Sequence, residues 1–368
     1  MKNLGLYIHI PYCKSKCYYC DFCSVKYIGQ ADRYMERLTE ESRFVSRFLN
    51  DFSVDTVFIG GGTPTILPNG MLKKTFCEIV KNFNNDIVEF TVEANPDTVT
   101  EEKLTELRET GVNRLSIGIQ TLNDKILQAL NRPHGSIDAI NAIRLAGKYF
   151  DNLSADIMLG LPEQSFEDIE YTVNTLIKSN VKHISCYTLQ LEEKTVLKKM
   201  AEEKKIIIPS DDEAFEMYDY AYKLLKKHGF YRYEISNFAL EGYECRHNYA
   251  YWTGKDYLGL GAAAHSLIDN TRFNNTDNIS RYISKEKYQN ITRLTLEELM
   301  FEAVMLGFRT ASGIDLKAFS EKFHIEFTAK YANQLEKMKN YLNITATKAA
   351  IKEEYFEISN AIILEFMD

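Results

Sequence analysis

No stretch of this 368-residue chain stays apolar for the roughly 20 residues that a membrane-spanning helix needs. The first residues carry one lysine and a short apolar run broken by His9 and Pro11, with no small-residue cleavage site, so they do not read as a secretory signal. A basic excess is missing as well: 44 Lys and Arg stand against 52 Asp and Glu, a formal net charge of −8. Over residues 33–47 opposite charges mix at helical spacing, which reads as a solvated helix face, and no concentrated basic surface is present to neutralise phosphates. General nucleic-acid binding is thereby disfavoured. Cysteine is scarce and odd in number, seven in all, with three crowded into eight residues. That usage reads as metal ligation in a reducing compartment, by default the cytoplasm, in place of a disulfide framework.

The crowded three are Cys13, Cys17 and Cys20, in the run Cys-Lys-Ser-Lys-Cys-Tyr-Tyr-Cys directly after a strand-like apolar segment, 4–10. Three thiolates at CxxxCxxC spacing can hold three irons of a [4Fe–4S] cluster and leave the fourth iron open to an exchangeable small molecule. The plain alternative is a zinc knuckle. Zinc sites usually pair two CxxC-like halves, and Cys77, Cys186 and Cys245 are isolated, so no second half exists.

The hydrophobic content, 45%, allows a substantial core, and the length suits one large α/β domain with a smaller one appended. Apolar runs at 4–10, 55–59, 88–92, 114–119, 154–158 and 183–189 alternate with amphipathic stretches such as 34–49, 71–82, 101–109 and 137–149. Gly111 marks a helix stop. Six strand-helix units imply a parallel sheet curled into an incomplete (β/α) barrel. The C-terminal strand ends of such a barrel share one face, where chemistry sits. The cysteine loop, Gly60-Gly61-Gly62-Thr63-Pro64, Glu93, Gln120 and Asp156 all fall there or close by. Each has an ordinary reading: the glycines as a tight turn, the carboxylates as loop caps. Carboxylates in apolar strands are nevertheless costly to bury without partners, and a ribose or an amino group would supply one.

The cysteine spacing, the Gly-Gly-Gly-Thr-Pro-Thr loop, Val-Glu-Ala-Asn-Pro, Ser-Ile-Gly-Ile-Gln-Thr, Leu-Asn-Arg-Pro-His and Asp-Ile-Met-Leu-Gly-Leu-Pro resemble the motif series of coproporphyrinogen III dehydrogenase-like radical SAM proteins across nearly the whole chain. The resemblance implies a cluster held by Cys13, Cys17 and Cys20, and S-adenosylmethionine surrounded by Tyr7, Gly61, Gly62, Thr63, Glu93, Gln120, Arg132 and Asp156, with Tyr19 beside it. Arg132 suits the methionine carboxylate and an acidic side chain suits the ribose hydroxyls.

Beyond residue 190 the period changes. Helical patterns at 192–205 and 211–228 lead into an aromatic segment, 229–239, and then Cys245-Arg-His247-Asn-Tyr-Ala-Tyr251-Trp252, which holds the single tryptophan. The HNxxYW run resembles the HemW branch of the same family, whose members are heme chaperones. It offers an imidazole for iron and flat surface for a macrocycle, so His247, Cys245, Tyr251 and Trp252 are the heme-binding candidates, against a satisfied structural histidine in an aromatic cluster. In the cysteine loop, Phe22 stands where the oxidase branch has a further cysteine, and Cys23 follows one residue later. Residues 256–266 are rich in small residues, a loop whose glycines either admit a ligand or simply pack. From 296 onward, helical segments at 297–307, 316–323 and 328–341 and a strand pair near 344–358 resemble a winged helix. The division expected is 1–190 for the barrel and cluster loop, 191–290 for a connecting, heme-binding region, and 291–368 for the winged-helix-like domain. The resemblance implies a protein that passes heme to acceptor proteins, with no catalytic residue assigned, as a monomer or a dimer, and leaves transient membrane association open. The alternative is oxidative decarboxylation of coproporphyrinogen III by the same cluster and cofactor.

Overall fold

The alternation of apolar and amphipathic segments becomes six parallel strands in the computed structural model, which describes residues 1–286 and 288–367. These are β1 (Lys2–Ile10), β2 (Phe52–Gly61), β3 (Asn85–Ala94), β4 (Arg114–Gln120), β5 (Asn152–Leu159) and β6 (His183–Thr188), each paired with the next. All seven residues of β4 are buried, as expected where a parallel sheet is covered on both faces. The intervening helices Asp32–Val45, Met71–Val80, Glu101–Thr110, Ser136–Ala146 and Phe166–Lys178 lay their apolar stripes on the sheet. Local chemistry sets their ends: Thr100 and Ser165 accept from Lys103 and Asp168 backbone N–H groups. Gly111, at φ 97°, stops the third helix in the left-handed conformation that only glycine adopts freely.

Six further strands extend the same sheet at both ends. They are β7 (Tyr231–Glu234), β8 (Asn237–Ala239), β9 (Tyr257–Leu260), β10 (His265–Ile268), β11 (Thr271–Asn274) and β12 (Gln289–Arg293). The spatial order is β12-β11-β10-β9-β1-β2-β3-β4-β5-β6-β8-β7. β9 is parallel to β1, in register Gly5 to Tyr257 through Ile8 to Leu260. The stretch read from the sequence as a loop therefore contributes a seventh parallel strand. Its glycine is a packing requirement, since a Cβ on Gly259 would stand 2.3 Å from the His265 carbonyl oxygen.

Two other expectations change. The helix expected over 192–205 shortens to Val196–Glu202. The first helix is not simply a solvated face: Glu41 is 1% exposed, and its carboxylate accepts from the hydroxyls of Tyr282 and Tyr288, Asn275 Nδ2 and the Gly261 N–H. Four donors offset the cost of burying that charge, and they tie the glycine-rich segment to the first helix.

The C-terminal region has its own core, built on Val304, Phe308, Phe319, Phe327 and Phe366. Helices Leu296–Gly307, Leu316–Phe323 and Ala332–Met338 pack on a small antiparallel sheet, β13 (Ile314–Asp315), β14 (Leu342–Ile344) and β15 (Lys348–Ile351), with β15 central. The strand pair thus ends at Ile351. Glu353–Ile358 is a 3-10 helix, whose Glu353 and Glu357 reach back to Lys226 and Arg232. Among the described residues no helix is long and apolar enough to cross a membrane.

Candidate functional site

The loop after β1 carries the three cysteines and is tied down on several sides. Its Tyr18 N–H donates to the Leu130 carbonyl at 3.0 Å, Asn131 Nδ2 donates to the Lys16 carbonyl at 2.9 Å, and Lys14 pairs with Asp97 at 3.2 Å. Thr63 Oγ1, in the glycine loop after β2, lies 3.8 Å from Cys13 Sγ. Cys13, Cys17 and Cys20 are each partly buried. Burial pushes the thiols of Cys13 and Cys20 up, and their neighbouring cysteines push the same way. Three thiolates this close repel one another until a cation lies between them, so the donor set fits an iron cluster. Among the described residues no three His, Cys, Asp or Glu side chains converge on one single-ion position; a cluster places its cysteines on separate irons and needs no such convergence. Cys23 points elsewhere, its Sγ donating to the Asp277 carbonyl at 3.0 Å.

The glycine loop passes close beneath. Gly61 has φ 103°, and a Cβ there would stand 2.2 Å from His9 Cε1; a Cβ on Gly62 would meet the Tyr12 carbonyl oxygen at 2.6 Å. Only glycine fits, because the loop packs directly on the chain that leaves β1, where the Gly62 N–H donates to the Ile10 carbonyl at 2.8 Å. The Gly61 N–H donates to Glu93 Oε2 at 3.0 Å. Burial first, then the nearby Asp156, pushes the Glu93 carboxyl up to about 8. Burial raises Asp156 too, against hydrogen bonds from Ser185 and Ser116 and the pull of Arg114. Two half-buried carboxyls, one of which raises the other's titration, suit a ligand bringing an ammonium group or hydroxyls, which is the chemistry of S-adenosylmethionine.

Arg132 organises the rest. Its Nη2 donates to the Gly118 carbonyl at 2.6 Å and to Asn95 Oδ1 at 2.9 Å, while Nη1 lies 3.3 Å from the Tyr19 hydroxyl and 3.5 Å from Cys17 Sγ. Its Nε is buried without a hydrogen bond. The guanidinium therefore joins the cysteine loop to the β3 and β4 ends. Gln120, at φ 66°, accepts from the Tyr187 hydroxyl at 3.2 Å. Tyr7 lies lower, its hydroxyl 3.0 Å from His9 Nδ1, and burial raises its phenol with Glu93 adding to the effect. Asn95, which also donates to Thr63 Oγ1 at 3.0 Å, and Tyr187 belong to the site but are not singled out by the sequence. Asn95 sits in the Val-Glu-Ala-Asn-Pro run, so its motif was visible even though its role was not.

The structure does not bring the HNxxYW residues to this face. They form a short helix, Arg246–Trp252, packed against Thr56 and Phe58 of β2 and Glu89 of β3. Glu89 of β3 is 4% exposed and accepts from the backbone N–H groups of Arg246 at 2.8 Å and His247 at 2.9 Å, with Cys245 Sγ 3.5 Å away. His247 is 2% exposed, with Nδ1 at 3.0 Å from Thr56 Oγ1 and Nε2 at 2.9 Å from the Tyr251 hydroxyl. Its ring stacks on Phe58, centroids 5.4 Å apart. Burial pushes the imidazole down to about 3, so it is held neutral. Cys245 is fully buried and burial pushes its thiol up to about 12. In this arrangement neither His247 nor Cys245 meets a macrocycle without leaving its present partners. Trp252 and Tyr251 are half-buried and border a cavity of about 610 Å³ against the C-terminal helices.

A sequence profile of the Radical SAM superfamily matches residues 7–176, and one of the HemN C-terminal domain matches residues 294–345. The chain is 39% identical over 328 residues to a heme chaperone HemW of Bacillus subtilis (strain 168), covering 86% of each. It is 32% identical over 379 aligned residues to a heme chaperone HemW of Lactococcus lactis subsp. lactis (strain IL1403), covering 100% of this chain and 98% of the relative. Among solved structures, coproporphyrinogen III oxidase (HemN) from Escherichia coli matches with a TM-score of 0.86 over 99% of this chain and 90% of that one. The identity there is 20%, so the likeness is one of fold.

Proposed function

Because the chain belongs to the HemW family of radical SAM proteins, we propose that it is a heme chaperone, which binds heme and passes it to acceptor proteins in the cytoplasm. The observation that carries this reading is its identity of 32–39% with two proteins named heme chaperones over most of their length and its own. The fold is shared with an oxidase, and fold alone does not choose between the two activities.

Cys13, Cys17 and Cys20 are the ligands of the [4Fe–4S] cluster in this proposal, and when bound the cluster supplies an open iron for the amino and carboxylate groups of S-adenosylmethionine. The residues around it bind and orient. Gly61 and Gly62 let their loop approach the cofactor face while packed on β1, Thr63 sits against Cys13, and Glu93 and Asp156 offer carboxyls to the ligand's amine and hydroxyls. Arg132 and Tyr19 hold the cysteine loop over the strand ends, Gln120 closes the far side with Tyr187, and Tyr7 supports the floor through His9. Residues 1–190 form this module, 191–290 connect it to the heme-carrying part, and 291–368 close that part from the other side. Tyr251 and Trp252 face the cargo, whereas His247 and Cys245 hold the motif helix against the barrel.

The test uses the full chain, reconstituted anaerobically. Titration with heme should give a saturable Soret band at one heme per chain, and mixing with a heme-free acceptor should move that band to the acceptor. Catalytic, S-adenosylmethionine-dependent formation of protoporphyrinogen from coproporphyrinogen III, with only unsaturable heme association, would overturn the chaperone reading.

A further inference from the structure

The interior of a parallel barrel is normally filled by branched aliphatic side chains, but this one carries a cation beneath its cofactor face. Arg114, at the start of β4, is 1% exposed. Side chains alternate along a strand, so Arg114 shares its face with Ser116 and Gly118. A Cβ on Gly118 would stand 3.3 Å from Arg132 Nη2, which marks that face as the one below the cofactor site. The strand pairings place Thr91 and Asn152 beside Arg114, Glu93 and Ser154 beside Ser116, and Asp156 beside Gly118. Ser116 Oγ donates to Asp156 Oδ1 at 3.2 Å. On the same face of β3, one step below Thr91, comes Glu89, which holds the N–H groups of Arg246 and His247. Arg114 thus lies between one carboxylate beneath it and two above.

The guanidinium is committed to none of the three. It makes no ion pair among the described residues, and its Nε, like Thr91 Oγ1 and Asn152 Oδ1 on the neighbouring strands, is buried without a hydrogen bond. A buried charge is costly unless groups of opposite sign surround it. Burial works against the Arg114 cation, yet Cys245, Glu89, Tyr233 and Asp156 around it favour it on balance. The effect is mutual. Burial raises the Asp156 and Glu93 carboxyls, and Arg114 offsets part of that rise. Burial, with Arg114 adding to it, keeps His183 and His247 neutral. Tyr7, Tyr187 and Arg132 complete the charged and titratable groups around the two carboxyls. A guanidinium does not lose its proton inside a protein, so the field of Arg114 is the same at every pH of interest.

We propose that Arg114 is a positioning residue: from inside the barrel it holds negative charge on the Asp156–Glu93 pair for the cationic end of S-adenosylmethionine, and it divides its field between that pair and Glu89. The proposal rests on the cofactor site described above and adds what sets the pH range in which that site binds. Without Arg114 the pair takes up protons at higher pH, and the ligand's ammonium group loses its acceptors. Without the charge of Glu89 the field of Arg114 is unopposed from below, and the pair stays charged to lower pH. The two changes therefore act with opposite sign on one ligand that neither residue touches.

The test is calorimetric titration of the anaerobically reconstituted full chain with S-adenosylmethionine at about pH 6.5 and about pH 8.5, on either side of the Glu93 value of about 8, with iron and sulfide content as the loading control. Arg114→Gln should bind about tenfold more weakly than the native chain at the lower pH and within about threefold of it at the higher, since a nearby opposite charge changes a carboxyl's proton affinity by about tenfold or more. Arg114→Lys keeps the charge and should restore most of the loss. Glu89→Gln keeps an oxygen for the two helix N–H groups and should bind several times more tightly than the native chain at the lower pH. A purely structural role gives another pattern: an equal loss in Arg114→Gln at both pH values, no rescue by lysine, and weaker binding in Glu89→Gln. That pattern, or affinities unchanged throughout, overturns the proposal. Where Arg114→Gln does not fold, Glu89→Gln decides alone, and binding no tighter than native at the lower pH overturns it. A native chain with a full cluster that binds no S-adenosylmethionine overturns the cofactor site and this proposal with it, while heme titration still reads the chaperone function separately.

Discussion

Glu93, at the end of β3, accepts a hydrogen bond from the Gly61 backbone N–H at 3.0 Å, so that the carboxyl and the glycine loop are fixed against each other beneath the cysteine loop. Burial and the neighbouring Asp156 hold this carboxyl up at about 8, against an ordinary value of 4.5. A carboxyl with a raised folded-state value keeps a proton that the unfolded chain releases, so its contribution is full below about 4.5 and is lost as pH rises toward 8. The ligand-free native chain should therefore lose thermal stability across that window relative to Glu93→Gln. Parallel stability curves for the two proteins from pH 5 to pH 8 would sink the argument.

Adding one methyl group at Gly61 asks for φ 103° from an alanine and places its Cβ 2.2 Å from His9 Cε1. Gly61→Ala should cost about 2–4 kcal/mol in denaturant unfolding and weaken S-adenosylmethionine binding. A change under about 0.5 kcal/mol, the usual range for unconstrained surface sites, would show that the loop has room to move.

Serine at Cys13, Cys17 or Cys20 should abolish the visible absorption of the reconstituted cluster, because in the proposed site each thiolate serves a different iron. Cys23→Ser should keep it, since that thiol is directed at Asp277. Iron and sulfide analysis of the four variants separates the outcomes, and full cluster content in any of the first three would remove the basis for the site.

Asp156→Ala should weaken S-adenosylmethionine binding at least tenfold while cluster content stays normal, because the carboxyl lies inside the barrel and contacts no cysteine. Calorimetric titration of the reconstituted protein reads this directly. Equal affinities would place the cofactor elsewhere.

His247→Ala removes two buried hydrogen bonds and a ring stacked on Phe58. The expected loss is about 2–4 kcal/mol of stability, measured by urea unfolding of the full chain. A variant as stable as the native chain would mean that the motif helix is held by other contacts.

Much of the architecture was legible because the signals are local. The six parallel strands and their helices follow from period and turn residues, and the cysteine loop follows from spacing. β9 escaped because glycine in Tyr257-Leu-Gly-Leu reads as a loop signal, while the reason for Gly259 is a neighbouring backbone, that of His265, which no local pattern announces. The setting of His247 escaped for a different reason. Its partners Thr56 and Phe58 lie some 190 residues earlier, and whether a histidine has a free nitrogen depends on groups the chain brings together only on folding. Glu41 was misread in the same way, for a charge at helical spacing looks solvated until four distant donors converge on it.

The parallel pairing of β9 with β1 has a consequence for biogenesis. β1 stands inside the sheet, flanked by β2 on one side and by a strand some 250 residues later on the other. During synthesis β1 is made long before β9, so it is among the last strands to be fully enclosed, and contacts of such long sequence separation form slowly. The cysteine loop hangs from the end of that strand. The strand that carries the loop therefore keeps an open edge on its β9 side until the chain has passed residue 260.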